Sequence, residues 1–196
     1  MNVEVNYKKD EIAIFGEDSV EIEGREISYD SIESISYNHD NAVYTILGIP
    51  IARWMSGAIS ISVIDEKKPV AVPFHGLSLF GITIVPSPQK AQEGFDMLYE
   101  AIDNVITPII AQRYLEQIYA GGEVEVAGIV INQTSAFGKR KKDNIVSKEN
   151  YGGTRHNFII GTVLDKDFEV ICRTSLKTCK NVTVLPYILD ELFLVT

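Results

Sequence analysis

Apolar and polar residues alternate with a period of two along most of this chain, and the period lengthens to three and four in only two regions. Period two predicts strands with one buried face, and the longer period predicts helices. Ile12-Ala13-Ile14 and Val20-Glu21-Ile22 read as short strands about a turn at Gly16-Glu17-Asp18, and Gly24 resets the chain. Residues 26–37 predict one or two more strands, closed by a polar turn at 38–41. Residues 44–51 are strand or apolar loop, and 58–64 with 69–74 predict a hairpin about Asp65. Ile82-Thr83-Ile84-Val85 is a short strand. Ser87 before Pro88 then marks a helix start. Ala91, Phe95, Leu98, Ile102, Val105, Ile106 and Ile109 follow on one helical face. Pro108 predicts a kink or a split, because it lacks an N–H and clashes with the preceding turn. The second piece, 109–119, ends at Gly121-Gly122 and reads as a connector.

The grammar then starts again. Val124-Glu125-Val126 and Ile129-Val130-Ile131 flank Gly128, and a basic hairpin at 139–142 precedes a strand at 144–148. Tyr151-Gly152-Gly153-Thr154 reads as a loop, and 158–164 pairs with 168–173. Val182, Leu185, Ile188, Leu189, Leu192 and Phe193 predict a closing helix starting near Thr183, with Pro186 in its first turn. Two segments share one pattern: apolar strand, acidic turn at Asp65 or Asp165, apolar strand, then a helix. That offset of one hundred residues predicts two small β-rich domains.

Composition changes this picture only in its electrostatics. Of 196 residues, 45% are hydrophobic and 23% charged, enough to fill a core in each half. Net charge is −9, and residues 1–120 hold 8 Lys/Arg against 18 Asp/Glu. Such an acidic half argues against nucleic acid as a partner, since phosphates need cations. No basic and apolar leader opens the chain, and Cys172 and Cys179 read as free thiols, so the expected compartment is the cytoplasm. Residues 43–64 contain one charge, Arg53, but Gly48, Pro50 and the alternation of 59–63 mark strand rather than membrane span.

Candidate chemistry is sparse. Lys139, Arg140, Lys141 and Lys142 form a consecutive basic run. It reads as a solvated hairpin tip that discourages edge pairing, with phosphate or lipid-headgroup binding as the alternative. His39, His75 and His156 have no His or Cys at ligand spacing, so no metal site is expected. No G-x-S-x-G elbow is present. Gly152-Gly153-Thr154-Arg155-His156 reads as a β-turn in preference to an anion nest. The segment holding Ile49, Ile51, Arg53, Trp54 and Met55 is apolar on both faces and contains the only Trp. It is either core or an exposed lip, and as a lip it marks a partner surface or dimer interface.

Ile27, Tyr29, Ile32 and Ile35, then 61–72 and 95–106, resemble a bacterial pleckstrin-homology-like (PH-like) domain. Residues 128–131, 158–172 and 182–193 resemble a second copy. The resemblance implies an α+β chain of two β-rich domains. Each is a bent antiparallel sheet or partly open barrel closed by a C-terminal amphipathic helix. The implied bounds are 1–107 and 123–196, joined by a helical linker at 108–122. Extra apolar residues at 45–56 and 77–85 depart from a minimal copy. In that family the fold is mainly a binding scaffold. The function expected is therefore a non-enzymatic module for a protein or peptide partner, needing no cofactor. Peripheral attachment to phospholipid headgroups through residues 139–142 is the second reading, and an enzyme the third.

Overall fold

The computed structural model describes residues 2–139, 141–156, 160–167, 169–175 and 180–194. Phe158 and Cys179, two residues of the expectations above, lie outside that set, as does Arg140. The chain divides into two compact units, Met1–Val105 and Ile106–Thr196. The described residues form four antiparallel sheets and two helices, with no closed barrel.

The first unit opens with β1 (Val3–Lys8), β2 (Glu11–Phe15), β3 (Ser19–Ile22) and β4 (Arg25–Ser28), an antiparallel meander. Register places Val5 opposite Ala13, and Phe15 opposite Val20, which in turn faces Ile27. All five are buried, so the period-two pattern delivers one apolar face. A 3₁₀ turn, Tyr29–Ser31, then leads to a second sheet. That sheet is β5 (Ile32–Ile46), β6 (Ile49–Val63), β7 (Val70–Leu79) and β8 (Ile82–Val85), paired in chain order.

The polar turn expected at 38–41 does not form; β5 runs through it. Its polar residues mimic a turn but are compatible with a strand, because each finds a suitable side. Asn38 and Asp40 point away from the core and are exposed. His39 points inward, where Gln92 Oε1 lies 2.5 Å from its Nε2, and Asn41 donates to the same Gln92 oxygen at 3.0 Å.

Helix α1 (Pro88–Tyr119) follows. Ser87 caps it as expected, its Oγ accepting from the Lys90 N–H at 3.2 Å. In the first unit Phe95 lies against Phe74 and His39, with centroids 5.5 and 5.2 Å apart, and Tyr99 meets Tyr37 at 4.9 Å. Phe95, Leu98, Ile102, Met55, Ile59 and Ile61 are fully buried. The expected split at Pro108 does not occur. Its flanks Ile106, Thr107, Ile110 and Ala111 are all buried, and that packing offsets the roughly 3 kcal/mol a mid-helix proline costs.

The second unit begins with the remainder of α1, where Leu115 and Ile118 are also buried. Thr107 Oγ1 lies 3.3 Å from Thr183 Oγ1, and Asn181 Nδ2 donates to the Tyr114 hydroxyl at 3.1 Å. Then come β9 (Val124–Val126), β10 (Ile129–Ile131), β11 (Ser135–Gly138) and β12 (Lys141–Ser147) in one sheet. β13 (Tyr151–His156), β14 (Ile160–Asp165) and β15 (Val170–Ser175) form the next, and α2 (Val184–Phe193) ends the unit. The loop expected at 151–154 is instead the start of β13. Its glycines belong there because a Cβ on Gly152 would sit 1.7 Å from the Asp165 carbonyl oxygen. Tyr151 is buried against Phe193, centroids 5.7 Å apart, and its hydroxyl donates to Asp190.

Pro108→Ala restores a helical N–H, and urea unfolding should show a gain of about 2 kcal/mol after allowing for the freer unfolded chain. Burial is the main cause that raises the Tyr7 and Tyr151 phenols, with Glu23 and Asp190 carboxylates adding to it. The unfolded chain releases such protons near about pH 10 and the folded chain holds them longer. Their contribution is therefore intact below about pH 10 and is lost as pH climbs beyond it. Tyr7→Phe with Tyr151→Phe should flatten the alkaline fall in stability, measured by urea titrations at stepped pH.

Candidate docking surface

The last row of the second sheet that lies under α1 is Asn41·Met55·Gly76. A Cβ on Gly76 would lie 2.5 Å from Pro88 Cα, so the helix begins directly over this position. Beyond it the four strands continue without helical cover. The next row, Val43·Arg53·Ser78·Thr83, faces the same way, and Val43 is 59% exposed. This projecting end of the sheet forms a blade, and it is built from the segments 45–56 and 77–85 that depart from the minimal repeat.

Directly opposed residues share a face. On the face away from α1, Trp54 opposes Leu77, and Tyr44 opposes Ala52, which opposes Leu79 and then Ile82. Ile46 opposes Ile49. Nearer the root, the same face turns polar at Asp40·Ser56·His75. Two-residue turns close the hairpins: Leu47-Gly48 with φ of 51° and 79°, and Phe80-Gly81 with 48° and 78°. The Phe80 N–H donates to the Ile51 carbonyl at 2.7 Å, carrying the β6–β7 pairing up to the second turn.

Exposure concentrates here. Among the described residues, eleven of nineteen large exposed apolar side chains fall between Val43 and Ile84, and all of these but Ile64 lie on the blade. Leu47 is 97% exposed, Phe80 77%, Ile82 70% and Ile49 66%. Scattered apolar residues need no explanation, whereas a contiguous patch does. Turns with both φ positive favour Asn or Asp before Gly. Leu47 and Phe80 thus bear backbone strain and water exposure together, and neither brings core packing.

Of the partner-surface residues expected from sequence, Ile49, Arg53 and Trp54 are exposed on the blade, and Ile51 is half-buried. Met55 is a correction: it is fully buried, because its register position is the last one beneath α1. Phe80, Ile82 and Ile84 were not singled out in sequence. Their signal was the Phe-Gly turn between two apolar strands, which β-periodicity alone assigns to a core.

The basic run yields less. Lys139 Nζ lies 2.8 Å from Glu125 Oε2 in an exposed ion pair, so its charge is locally matched. Arg140 lies outside the described residues, as do the side chains of Lys141 and Lys142.

A cavity of about 820 Å³ lies near the start of α1, lined by Lys8, Lys9, Glu11, Phe74, His75 and Lys90 among others. Lys8 is held there between Glu11 at 2.6 Å and Glu23 at 3.1 Å, over the rings of Tyr7 and Phe74. His75 Nδ1 is 3.2 Å from Ser56 Oγ, and Asp40 pairs with Ser56 in register. A hydrolytic triad needs the histidine between the serine and the carboxylate. Here the serine stands in the middle of an open sheet face. No group of three or more His, Cys, Asp or Glu able to hold a metal occurs among the described residues. Among them no helix is long and apolar enough to cross a membrane.

No family model, curated protein or solved structure matches the chain.

An exposed ion pair contributes at most about 1 kcal/mol. Lys139→Ser should therefore leave the thermal midpoint within about 4 °C of wild type, read by circular dichroism.

Proposed function

We propose that this protein is a non-enzymatic binding module of two tandem PH-like domains, whose docking element is the apolar blade of the first. The order of elements supports the repeat: four-stranded sheet, second antiparallel sheet and helix come in the same sequence in each half. On this reading the blade is an elaboration of the first copy, built from residues 45–56 and 77–85 that exceed a minimal repeat.

The observation that carries the proposal is the placement of Leu47 and Phe80 at strained, exposed turn positions. A residue kept there against both backbone preference and solvation is serving something outside the fold. The Ser56–His75 arrangement supports binding over catalysis, because its order on the sheet face is wrong for proton relay. Headgroup capture by the basic run is the weaker reading, with Lys139 already paired to Glu125.

The double variant Leu47→Asn, Phe80→Asn tests the role directly. Asn suits the first position of both turns, so stability should hold or rise by a few tenths to about 1 kcal/mol. At the same time, the fluorescence of an apolar-surface dye on the folded protein should fall by half or more. A loss of more than about 2 kcal/mol would make these residues packing elements and overturn the reading. An unchanged dye signal would overturn it as well.

A further inference from the structure

We infer that the blade docks the protein on the lipid–water interface of a bilayer, and that it prefers zwitterionic to anionic headgroups. This rests on the blade being the docking element, and it names what the blade meets.

The first observation is an order along the blade. Leu47 and Phe80 stand outermost at the two turns, with the Ile46·Ile49 pair beside Leu47. Tyr44, Leu79 and Ile82 form the next row, and Trp54 with Leu77 the one behind. Asp40, Ser56 and His75 follow at the root. Aliphatic and Phe side chains lead, Tyr and Trp sit behind them, and ionisable groups come last. A bilayer surface imposes that gradient, because amphipathic Tyr and Trp rings settle at headgroup depth. A protein partner needs an apolar centre with a polar rim instead.

Charge is the second. Residues 41–64 and 69–86 contain one Lys, Arg, Asp or Glu, namely Arg53. Residues 1–105 as a whole hold 7 Lys/Arg against 17 Asp/Glu. An anionic membrane therefore repels this unit, while the blade itself is nearly neutral and meets uncharged surface without coulombic penalty. Arg53 lies on the face opposite Trp54 and one residue from it, where a long side chain can keep its guanidinium among phosphates.

The third is area. Four strands about 4.8 Å apart and rows about 7 Å apart give a flat apolar patch on the order of 300 Å². A stable two-fold contact with a second copy wants about 800 Å² from each partner. Lipid has no such threshold, because it closes around turns and face alike. Insertion is shallow: β5 and β8 are the edges of their sheet, and edge N–H and C=O groups need water or headgroups. The blade enters about 5–10 Å, to the boundary of headgroups and acyl chains.

Trp54 is the only tryptophan of the chain, so its emission reports on the blade alone. The test titrates the intact protein with phosphatidylcholine vesicles. The expected result is a blue shift of Trp54, quenching by shallow brominated lipid, and little change between about 0.05 and 0.5 M salt. Leu47→Asn with Phe80→Asn should weaken partitioning about tenfold or more while melting is preserved. The absence of both the shift and co-sedimentation at millimolar lipid would overturn the inference. So would a shift that grows with protein concentration in the absence of lipid, with dimers by analytical ultracentrifugation, which assigns the blade to a second copy. Binding confined to anionic vesicles at low salt would overturn it too, if it survives the blade variant and is lost when Lys139, Arg140, Lys141 and Lys142 become Ser. If lipid fails but the dye signal still depends on the blade, docking stands and its target is not lipid. If the dye signal is independent of the blade, the docking reading itself falls.

Discussion

The packing of the first half of α1 on one face of the β5–β7 sheet is the interaction on which the first unit depends. Phe95 inserts between Phe74 and His39, and Leu98 and Ile102 extend the contact along the helix. Burying three such side chains is worth about 5–9 kcal/mol by transfer, comparable with the whole net stability of a small domain. The same contact sets a boundary. The helix begins over Gly76, where any side chain would strike Pro88, so the sheet beyond that row has no helix to cover it. Everything distinctive about the blade follows from where α1 starts.

A sheet end left uncovered has two ordinary fates. It is shortened, or it is surfaced with polar and charged residues that discourage association. The root of the outer face takes the second course, with Ser36, Ser60 and Ser62 alternating with the buried apolar positions. The blade takes neither. It lengthens β5 and β6 to fifteen residues each and covers the added part with Tyr, Trp, Ile and Leu. Exposed apolar area in that arrangement works against solubility, and the −9 net charge elsewhere on the chain compensates by keeping molecules apart.

The second unit solves its core differently. Buried and part-buried polar pairs tie its elements together: Thr107 and Tyr114 of α1 to Thr183 and Asn181 in the turn before α2, and Tyr151 of β13 to Asp190 of α2. A buried polar group stabilises only when satisfied, so each of these pairs also fixes one packing arrangement among several. Pro108 is tolerated in the same neighbourhood because buried residues on both sides hold the helix together where a hydrogen bond is missing.

Local chemistry by itself determined much of this protein. Strand periodicity, the Ser87-Pro88 start, the face of Ala91, Phe95, Leu98 and Ile102, and the closing helix at 184–193 were all legible, because each depends on spacing within one element. The α+β class followed from the same signals. What sequence left open is whatever depends on a neighbour. Residues 38–41 look like a turn until Gln92 supplies a partner for His39 and Asn41. Gly152-Gly153 looks like a loop until the Asp165 carbonyl demands the space. Residues 46–55 and 79–84 read equally well as core or surface, since an apolar strand has the same pattern in both places. The fold separates the two, because helical cover stops at Gly76, where α1 begins. Burial is a property of two surfaces, and a strand's sequence specifies only one.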